Sequence, residues 1–181
     1  YNWFLSTQDF YDYPTIRELA ELISNKENNV QKEVLDIEKL SKNITVNKVN
    51  FQVKNGIGKN VLLTGVTGFL GIHLLDELLR DRNTNVYCLV RGKDGLPSRK
   101  RLERSLNYYF PGKHNNKIGK NIFIVDGNFT EEKFGLSKED YYFLGNSIDV
   151  VLHAAALVKH YGDYEEFKKV NIEGTNRLVK F

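Results

Sequence analysis

The chain has 181 residues, 41% of them hydrophobic and 27% charged, with a net charge of +3. That is room for one domain, or one domain plus an appendage, of ordinary globular composition. So small a net charge gives no ground for a nucleic-acid or membrane-surface partner, and no run is long and apolar enough to span a bilayer. No signal peptide is visible. The one cysteine, Cys88, cannot form an internal disulfide, so a reducing, cytoplasmic setting is expected. Methionine is absent and the first residue is Tyr1, which leads to the expectation of an excised fragment.

Residues 1–12 are aromatic and polar with no clear period, and Pro14-Thr15 then announces a helix. Thr15 and Glu18 have capping-box spacing, in which the hydroxyl takes a free N–H and the carboxylate reaches back. Ile16, Leu19, Ala20 and Ile23 share one face of this helix, which is too short to persist in water without a packing partner. Residues 25–59 are rich in Asn, Lys and Glu and read as a linker and lead-in, with a short helix at Glu33–Leu40 and a turn-rich Asn55–Asn60. From residue 60 apolar strands alternate with amphipathic helices. Strands are predicted at Val61–Thr64, Asn85–Val90, Asn121–Asp126 and Ile148–His153. Helices are predicted at Ile72–Arg80, Ser98–Tyr109, Ser137–Leu144 and Phe167–Phe181. This order predicts an α/β fold, a Rossmann-like doubly wound parallel sheet with right-handed crossovers, of which the N-terminal part is present.

The stretch Val61-Leu62-Leu63-Thr64-Gly65-Val66-Thr67-Gly68-Phe69-Leu70-Gly71 organises the chain. A buried strand runs into a glycine turn and then a helix, the arrangement that binds a pyrophosphate on free N–H groups at a helix start. Gly65 permits the tight turn, Gly68 lets backbone approach the anion, and Gly71 lets the helix pack closely. Gly65, Thr67, Gly68, Phe69, Leu70 and Gly71 are therefore candidate cofactor contacts. The second strand closes on Val90-Arg91-Gly92 with no acid at its tip. A carboxylate there would bind a ribose 2′-hydroxyl, whereas an arginine pairs with a 2′-phosphate through its planar fork. Arg91 therefore favours NADPH over NADH, while Arg99 and Lys100 read as a solvated helix face.

The form Thr-Gly-x-Thr-Gly-Phe-Leu-Gly at 64–71 resembles the extended short-chain dehydrogenase/reductase superfamily, and within it the thioester reductase and fatty acyl reductase branch. In that branch a second arginine precedes a leucine early in the next helix, which Arg101-Leu102 matches. The third strand ends in Asp126-Gly127-Asn128 where the family usually has Gly-Asp contacting adenine; an amide can still donate and accept there. Ala154 and Ala155 close the fourth strand with side chains small enough for a cofactor to pass, and the adjoining His153 reads as a hydrogen-bonded core histidine. Asn171 matches a helical asparagine of the superfamily that holds active-site water and backbone. The run Leu5–Ala20, with its Pro14-Thr15-Ile16 turn, resembles the C-terminal end of an acyl or peptidyl carrier domain. That family's phosphopantetheine-bearing serine sits in a Gly-Gly-x-Ser-type motif which neither Ser6 nor Ser24 matches. The resulting organisation is a carrier-domain end at 1–24, a linker and lead-in at 25–59, and a truncated NAD(P)-binding domain at 60–181.

The superfamily's chemistry needs a Tyr-x-x-x-Lys pair, in which the lysine lowers the tyrosine pKa and the tyrosine protonates the developing alkoxide. Tyr109–Lys113 is interrupted by Pro111-Gly112, and Tyr164–Lys168 follows the fourth strand where the family's pair follows the fifth. The catalytic pair is therefore expected beyond Phe181. The resemblance implies NADPH-dependent reductive release of a carrier-bound acyl or peptidyl thioester as aldehyde or alcohol in a nonribosomal peptide or polyketide synthetase. Its partner would be an upstream carrier domain bearing a phosphopantetheine-bound substrate. The alternatives are another extended short-chain reductase or epimerase acting on an acyl-CoA or nucleotide sugar, and a non-catalytic nucleotide-binding or docking module. No metal site is expected.

Overall fold

A computed structural model describes residues 5–26 and 59–181. The described residues fall into two compact units, 5–26 with 158–167 and 59–157 with 168–181. The short helix expected at Glu33–Leu40 lies outside the described residues.

The first unit contains two helices and a third short one. Helix α1, Thr7–Asp12, occupies a stretch whose sequence showed no period. Its signal is a capping box: the Asp9 N–H donates to Ser6 Oγ at 3.3 Å, and the Ser6 N–H donates back to the Asp9 carboxylate at 2.6 Å. Helix α2, Ile16–Lys26, follows the expected box, with the Thr15 N–H and hydroxyl both donating to Glu18 Oε2 at 3.0 and 2.7 Å. Leu19, Leu22 and Ile23 are half-buried, while Ile16 and Ala20 are exposed. The short α6 appears below.

In the second unit four strands form one parallel sheet: β1, Asn60–Thr64; β2, Asn85–Val90; β3, Ile122–Asp126; and β4, Val150–His153, in the order β3-β2-β1-β4. The chain builds outward from β1 to β3 and then returns to β1's other side. The C-terminal ends of β1 and β4 thus flank a topological switch point, where sheets of this type leave a crevice. Helices cover both faces: α3, Phe69–Leu78; α4, Ser98–Tyr109; and α5, Lys138–Ser147. Strand alternation sorts the core. Val61, Leu63, Val86, Cys88 and Val90 point to the side holding Leu75, Leu102 and Leu106 from α3 and α4. Leu62 and Leu89 meet Phe134, Leu144 and Leu178 on the other side. Each such aliphatic side chain stabilises the fold by about 1.5–3 kcal/mol. Burial also pushes the Cys88 thiol up, so it stays an uncharged core group.

At the foot of the sheet the Asn60 amide knits three elements, donating to the Ser147 carbonyl at 2.9 Å and accepting from Asn85 Nδ2 at 3.0 Å. On α3, Asp76 Oδ1 meets Lys113 Nζ at 2.5 Å and His114 Nε2 at 2.7 Å. Burial acts to raise the Asp76 carboxyl, but these hydrogen bonds and charges hold it below its usual value.

Strands β1, β3 and β4 begin at Asn60, Ile122 and Val150, one or two residues from the expected starts, and three helices differ in extent from expectation. Helix α3 begins at Phe69, three residues early, because Gly68 serves as its N-cap. Helix α5 runs to Ser147 beyond the expected Leu144, starting after a Ser137 cap that accepts from the Asp140 N–H at 3.0 Å. The single helix expected at Phe167–Phe181 is instead α6, Tyr164–Phe167, then a π-helical segment, Lys168–Glu173, then α7, Gly174–Val179. The wider turn coincides with a tertiary demand, the Asn171 clamp described below.

Candidate functional site

A cleft of about 280 Å³ opens at the C-terminal ends of β1 and β4. Its floor is the glycine turn. Gly65 has φ +71°, a left-handed conformation that favours glycine, and a Cβ there would lie 2.5 Å from the Ala154 carbonyl carbon and the Ala155 nitrogen. The Gly68 N–H closes the turn on the Gly65 carbonyl at 2.9 Å. A Cβ at Gly71 would come within 2.2 Å of the same carbonyl oxygen, so helix α3 sits directly on the turn. No side chain among the described residues caps α3 at Gly68, which leaves its first N–H groups for an anion.

Of the residues expected from the sequence, Gly65, Thr67, Gly68, Arg91, Arg101, Gly127, Asn128, Ala154 and Ala155 line this cleft together. Phe69, Leu70, Gly71 and Asp126 do not line it. Phe69 and Leu70 occupy the first turn of α3 and are exposed. The Phe69 ring packs against His73 and Tyr109, with centroids 4.5 and 6.1 Å away. Gly71 is buried beneath the turn. Asp126 is exposed at the tip of β3 and lines a neighbouring recess of about 410 Å³ with Arg91, Asn128 and Glu131. The Asn128 amide is turned into its own loop: Oδ1 accepts from the Thr130 N–H at 3.2 Å and hydroxyl at 2.9 Å, and Nδ2 donates to Glu131 Oε1 at 2.9 Å. It acts there as a turn cap.

Along the β2 side, Arg101 Nη2 donates to Thr67 Oγ1 at 3.3 Å and its Nη1 donates to the Arg91 carbonyl. Burial, followed by the nearby Arg91 charge, pulls the Arg101 guanidinium below its usual value, partly offset by Asp94. Even so lowered, guanidinium remains a cation at neutral pH. No carboxylate lines the 280 Å³ cleft among the described residues, so its charge is cationic.

The β4 side is organised differently. The Asn171 side chain accepts from the Leu157 N–H at 2.8 Å and donates to the Leu157 carbonyl at 3.1 Å. His153, four residues earlier, lies 2.6 Å from Thr64 Oγ1 through Nδ1 and 3.2 Å from Thr175 Oγ1 through Nε2. Thr175 Oγ1 donates to the Asn171 carbonyl at 2.7 Å, so it accepts from the imidazole, and this places the proton on Nε2. Burial lowers the His153 pKa, which keeps the ring neutral and suits the tautomer. His153 is therefore the hydrogen-bonded histidine its sequence position suggested. The segment Ala154–Ala156 lies between two anchored residues and presents small side chains to the cleft. Phe129 reinforces this side: its ring sits 5.2 Å from His153, and Gly174 leaves it room, since a Cβ there would lie 2.5 Å from the ring.

The sequence reading missed Ser105, Phe129, Thr130, Val170 and Thr175. Ser105 alone had a local signal, one turn after Arg101 on the same helix face. The Tyr109–Lys113 pair is broken as expected, since α4 ends at Tyr109 and Gly112 has φ +73°. Tyr164–Lys168 spans the change from α6 to the π-helical segment. Among the described residues no helix is long and apolar enough to cross a membrane, and no group of three His, Cys, Asp or Glu side chains could hold a metal.

A cationic cleft over a glycine turn, at the switch point of a parallel sheet, defines a dinucleotide-binding α/β domain. Residues 63–181 match the NAD-binding family described as "Male sterility protein", and the chain belongs to that family. Its relatives include reductases, among them the L-2-aminoadipate reductase large subunit of Eremothecium gossypii, 31% identical over 97% of this chain and 14% of that one. The chain is 33% identical over 97% of its length to the nonribosomal peptide synthetase asaC of Aspergillus flavus, of which it spans 18%. Among solved structures it is similar to the terminal R domain of the myxalamid PKS-NRPS pathway, with 34% identity and TM-score 0.61, covering 70% of this chain and 32% of that one. It is also similar to a thiolation-reductase di-domain from an archaeal non-ribosomal peptide synthetase, with 32% identity and TM-score 0.60, covering 83% of this chain and 38% of that one. The chain thus spans less than a fifth of that synthetase and about a third or more of each solved chain.

Proposed function

We propose that the chain is the nucleotide-binding part of a reductase that uses NADPH to release an acyl or peptidyl thioester from a carrier domain. The residues present fit a dinucleotide: a cradle at Gly65 that a Cβ would fill, an uncapped helix start, and an arginine pair. The bound nicotinamide would supply a hydride to the thioester carbonyl. The chain's own residues do the holding. The N–H groups at the start of α3 would hold the pyrophosphate, Arg91 and Arg101 would pair with a 2′-phosphate, and the small Ala154–Ala156 segment would leave room for the nicotinamide half.

The observation that carries the NADPH reading is the convergence of Arg91 and Arg101 on one side of the cleft, with no carboxylate lining it among the described residues. The carrier reading is supported by the resemblance of residues 5–20 and by similarity to a di-domain in which a thiolation domain accompanies the reductase. On that reading residues 1–24 end a carrier domain, 25–59 link it, 60–181 bind nucleotide, and the whole works in the cytoplasm. Asn171 supports the site by holding Leu157. Calorimetry on the full-length protein tests the cofactor: NADPH binds more tightly than NADH, and Arg91→Ala weakens NADPH by about tenfold, as expected for one charge-assisted contact. Tighter binding of NADH, or an unchanged NADPH affinity in Arg91→Ala, would remove the basis for the preference. Release of a free thiol from a carrier-loaded acyl group, dependent on NADPH, tests the reaction.

A further inference from the structure

We infer that Arg101 and Ser105 fasten the glycine turn to helix α4, so that the arginine placed to select NADPH also sets the turn on which any dinucleotide depends. The inference rests on the proposed NADPH reading for its selectivity, but its turn-fastening half is read with NADH alone. Thr67 stands at the middle of the turn between Gly65 and Gly68. Arg101 Nη2 donates to its hydroxyl at 3.3 Å, and Ser105 Oγ, one helical turn on, donates to its backbone carbonyl at 3.3 Å. Residues four apart on a helix share a face, so one face of α4 holds both ends of the threonine. The helix is itself held: Leu102 and Leu106, each next in sequence to one of these residues, are buried in the core, and the helix packs against β2 and β3. The Nη1 bond to the Arg91 carbonyl ties the tip of β2 to the same guanidinium. A guanidinium has more N–H donors than these two bonds use, so it can keep both and still face a phosphate. Arg91 is exposed and carries no such tie to the turn through its side chain in the bonds described. The two arginines are therefore unequal: Arg91 bears on the 2′-phosphate alone, Arg101 on both phosphate sites.

The test is calorimetric titration of the full-length protein with NADPH and with NADH, in Arg91→Ala, Arg101→Ala, Ser105→Ala and Thr67→Val proteins and in the Thr67→Val/Arg101→Ala double variant. Arg91→Ala weakens NADPH more than it weakens NADH, because its side chain makes no bond to the turn. Arg101→Ala weakens NADH about 3- to 10-fold, the range for one lost hydrogen bond, and weakens NADPH further. Ser105→Ala weakens both dinucleotides by the same factor, leaving their ratio at the wild-type value. In the Thr67→Val background Arg101→Ala costs no more NADH affinity, because the shared contact is already gone, yet still costs NADPH affinity. Arg101→Lys, which keeps the charge and loses the fork, also weakens NADH while the circular-dichroism melting curve stays at wild type. NADH affinity in Arg101→Ala within twofold of wild type overturns the inference, as do NADH losses that add in the double variant. An Arg91→Ala protein with undiminished NADPH affinity sinks the NADPH reading instead and leaves the NADH comparison standing. Failure of the wild-type protein to bind either dinucleotide overturns both.

Discussion

The glycine turn and the segment after β4 are held by different physics. At the turn after β1 the tightest contacts are backbone on backbone: Gly65 lies against Ala154–Ala155, and Gly71 lies under the Gly65 carbonyl, with no room for another carbon at either. Toward β4 the small-residue segment is slung between side-chain hydrogen bonds, His153 to two threonines and Asn171 to Leu157. A side built from excluded volume tolerates no added atom, because close-packed backbone has nowhere to go. A side built from hydrogen bonds tolerates a change of shape but not of donor and acceptor pattern, since an unpaired buried polar group costs the full desolvation penalty.

The largest effect tests the first half of that contrast. Gly71→Ala puts a methyl 2.2 Å from the Gly65 oxygen and 2.8 Å from the Val66 Cα. We expect a loss of about 3 kcal/mol in urea unfolding, at the upper end for overpacking, together with loss of dinucleotide binding. A loss below about 1 kcal/mol would show that the turn yields and is not volume-limited. Next comes Asn171→Leu, of similar size, which strands both the N–H and the carbonyl of Leu157 at an expected cost of about 2 kcal/mol. Hydrogen exchange at the Leu157 amide should accelerate in Asn171→Leu and stay slow in Asn171→Asp, which keeps the acceptor. Equal protection in wild type and Asn171→Leu would mean that the clamp contributes nothing to holding the segment.

A smaller effect is expected from pH. Burial sets the His153 pKa below the 6.5 of a free imidazole. Between the two values the unfolded chain binds a proton that the native chain refuses, so stability is full above pH 6.5 and declines as pH falls toward the folded value. His153→Gln, which keeps a donor and an acceptor but does not titrate, should be relatively more stable against wild type at pH 5 than at pH 7.5. A constant difference across that range would argue against a neutral, half-buried ring. The smallest effect belongs to Leu70→Ala. Its side chain is exposed in the first turn of α3, so stability should change by about 0.5 kcal/mol or less, as for ordinary surface positions, with dinucleotide affinity within twofold of wild type. A larger affinity loss would place the Leu70 side chain in the site.

Much of the sheet was legible because its signals are local. Val61–Thr64, Asn85–Val90 and the run ending at Asp126 are short, apolar and bounded by turn residues, and all appear as parallel strands. Helix α4 lies where Ser98 and Pro111-Gly112 bounded it. Helix α1 escaped notice although its capping pair, Ser6 and Asp9, was in plain view. The start of α3 was displaced because a glycine N-cap without a side-chain bond carries little signal. The β4 side of the cleft was far less readable: Asn171 and His153 could be singled out, but not that Thr175 and Leu157 complete their bonds. For Asn128, a nearby Thr130 and Glu131 decided what its amide would meet.

Hydrophobic period and glycine spacing established, from the chain alone, a parallel sheet whose first strand runs through a glycine turn into a helix, because each depends on neighbours a few residues away. That Gly65 meets the Ala154–Ala155 backbone, which arginine grips the turn, and why the last helix widens around Asn171 depend on residues brought together from 14 to 90 positions apart. Such contacts arise when the sheet returns from β3 to the far side of β1, and no local pattern encodes where that return places a side chain.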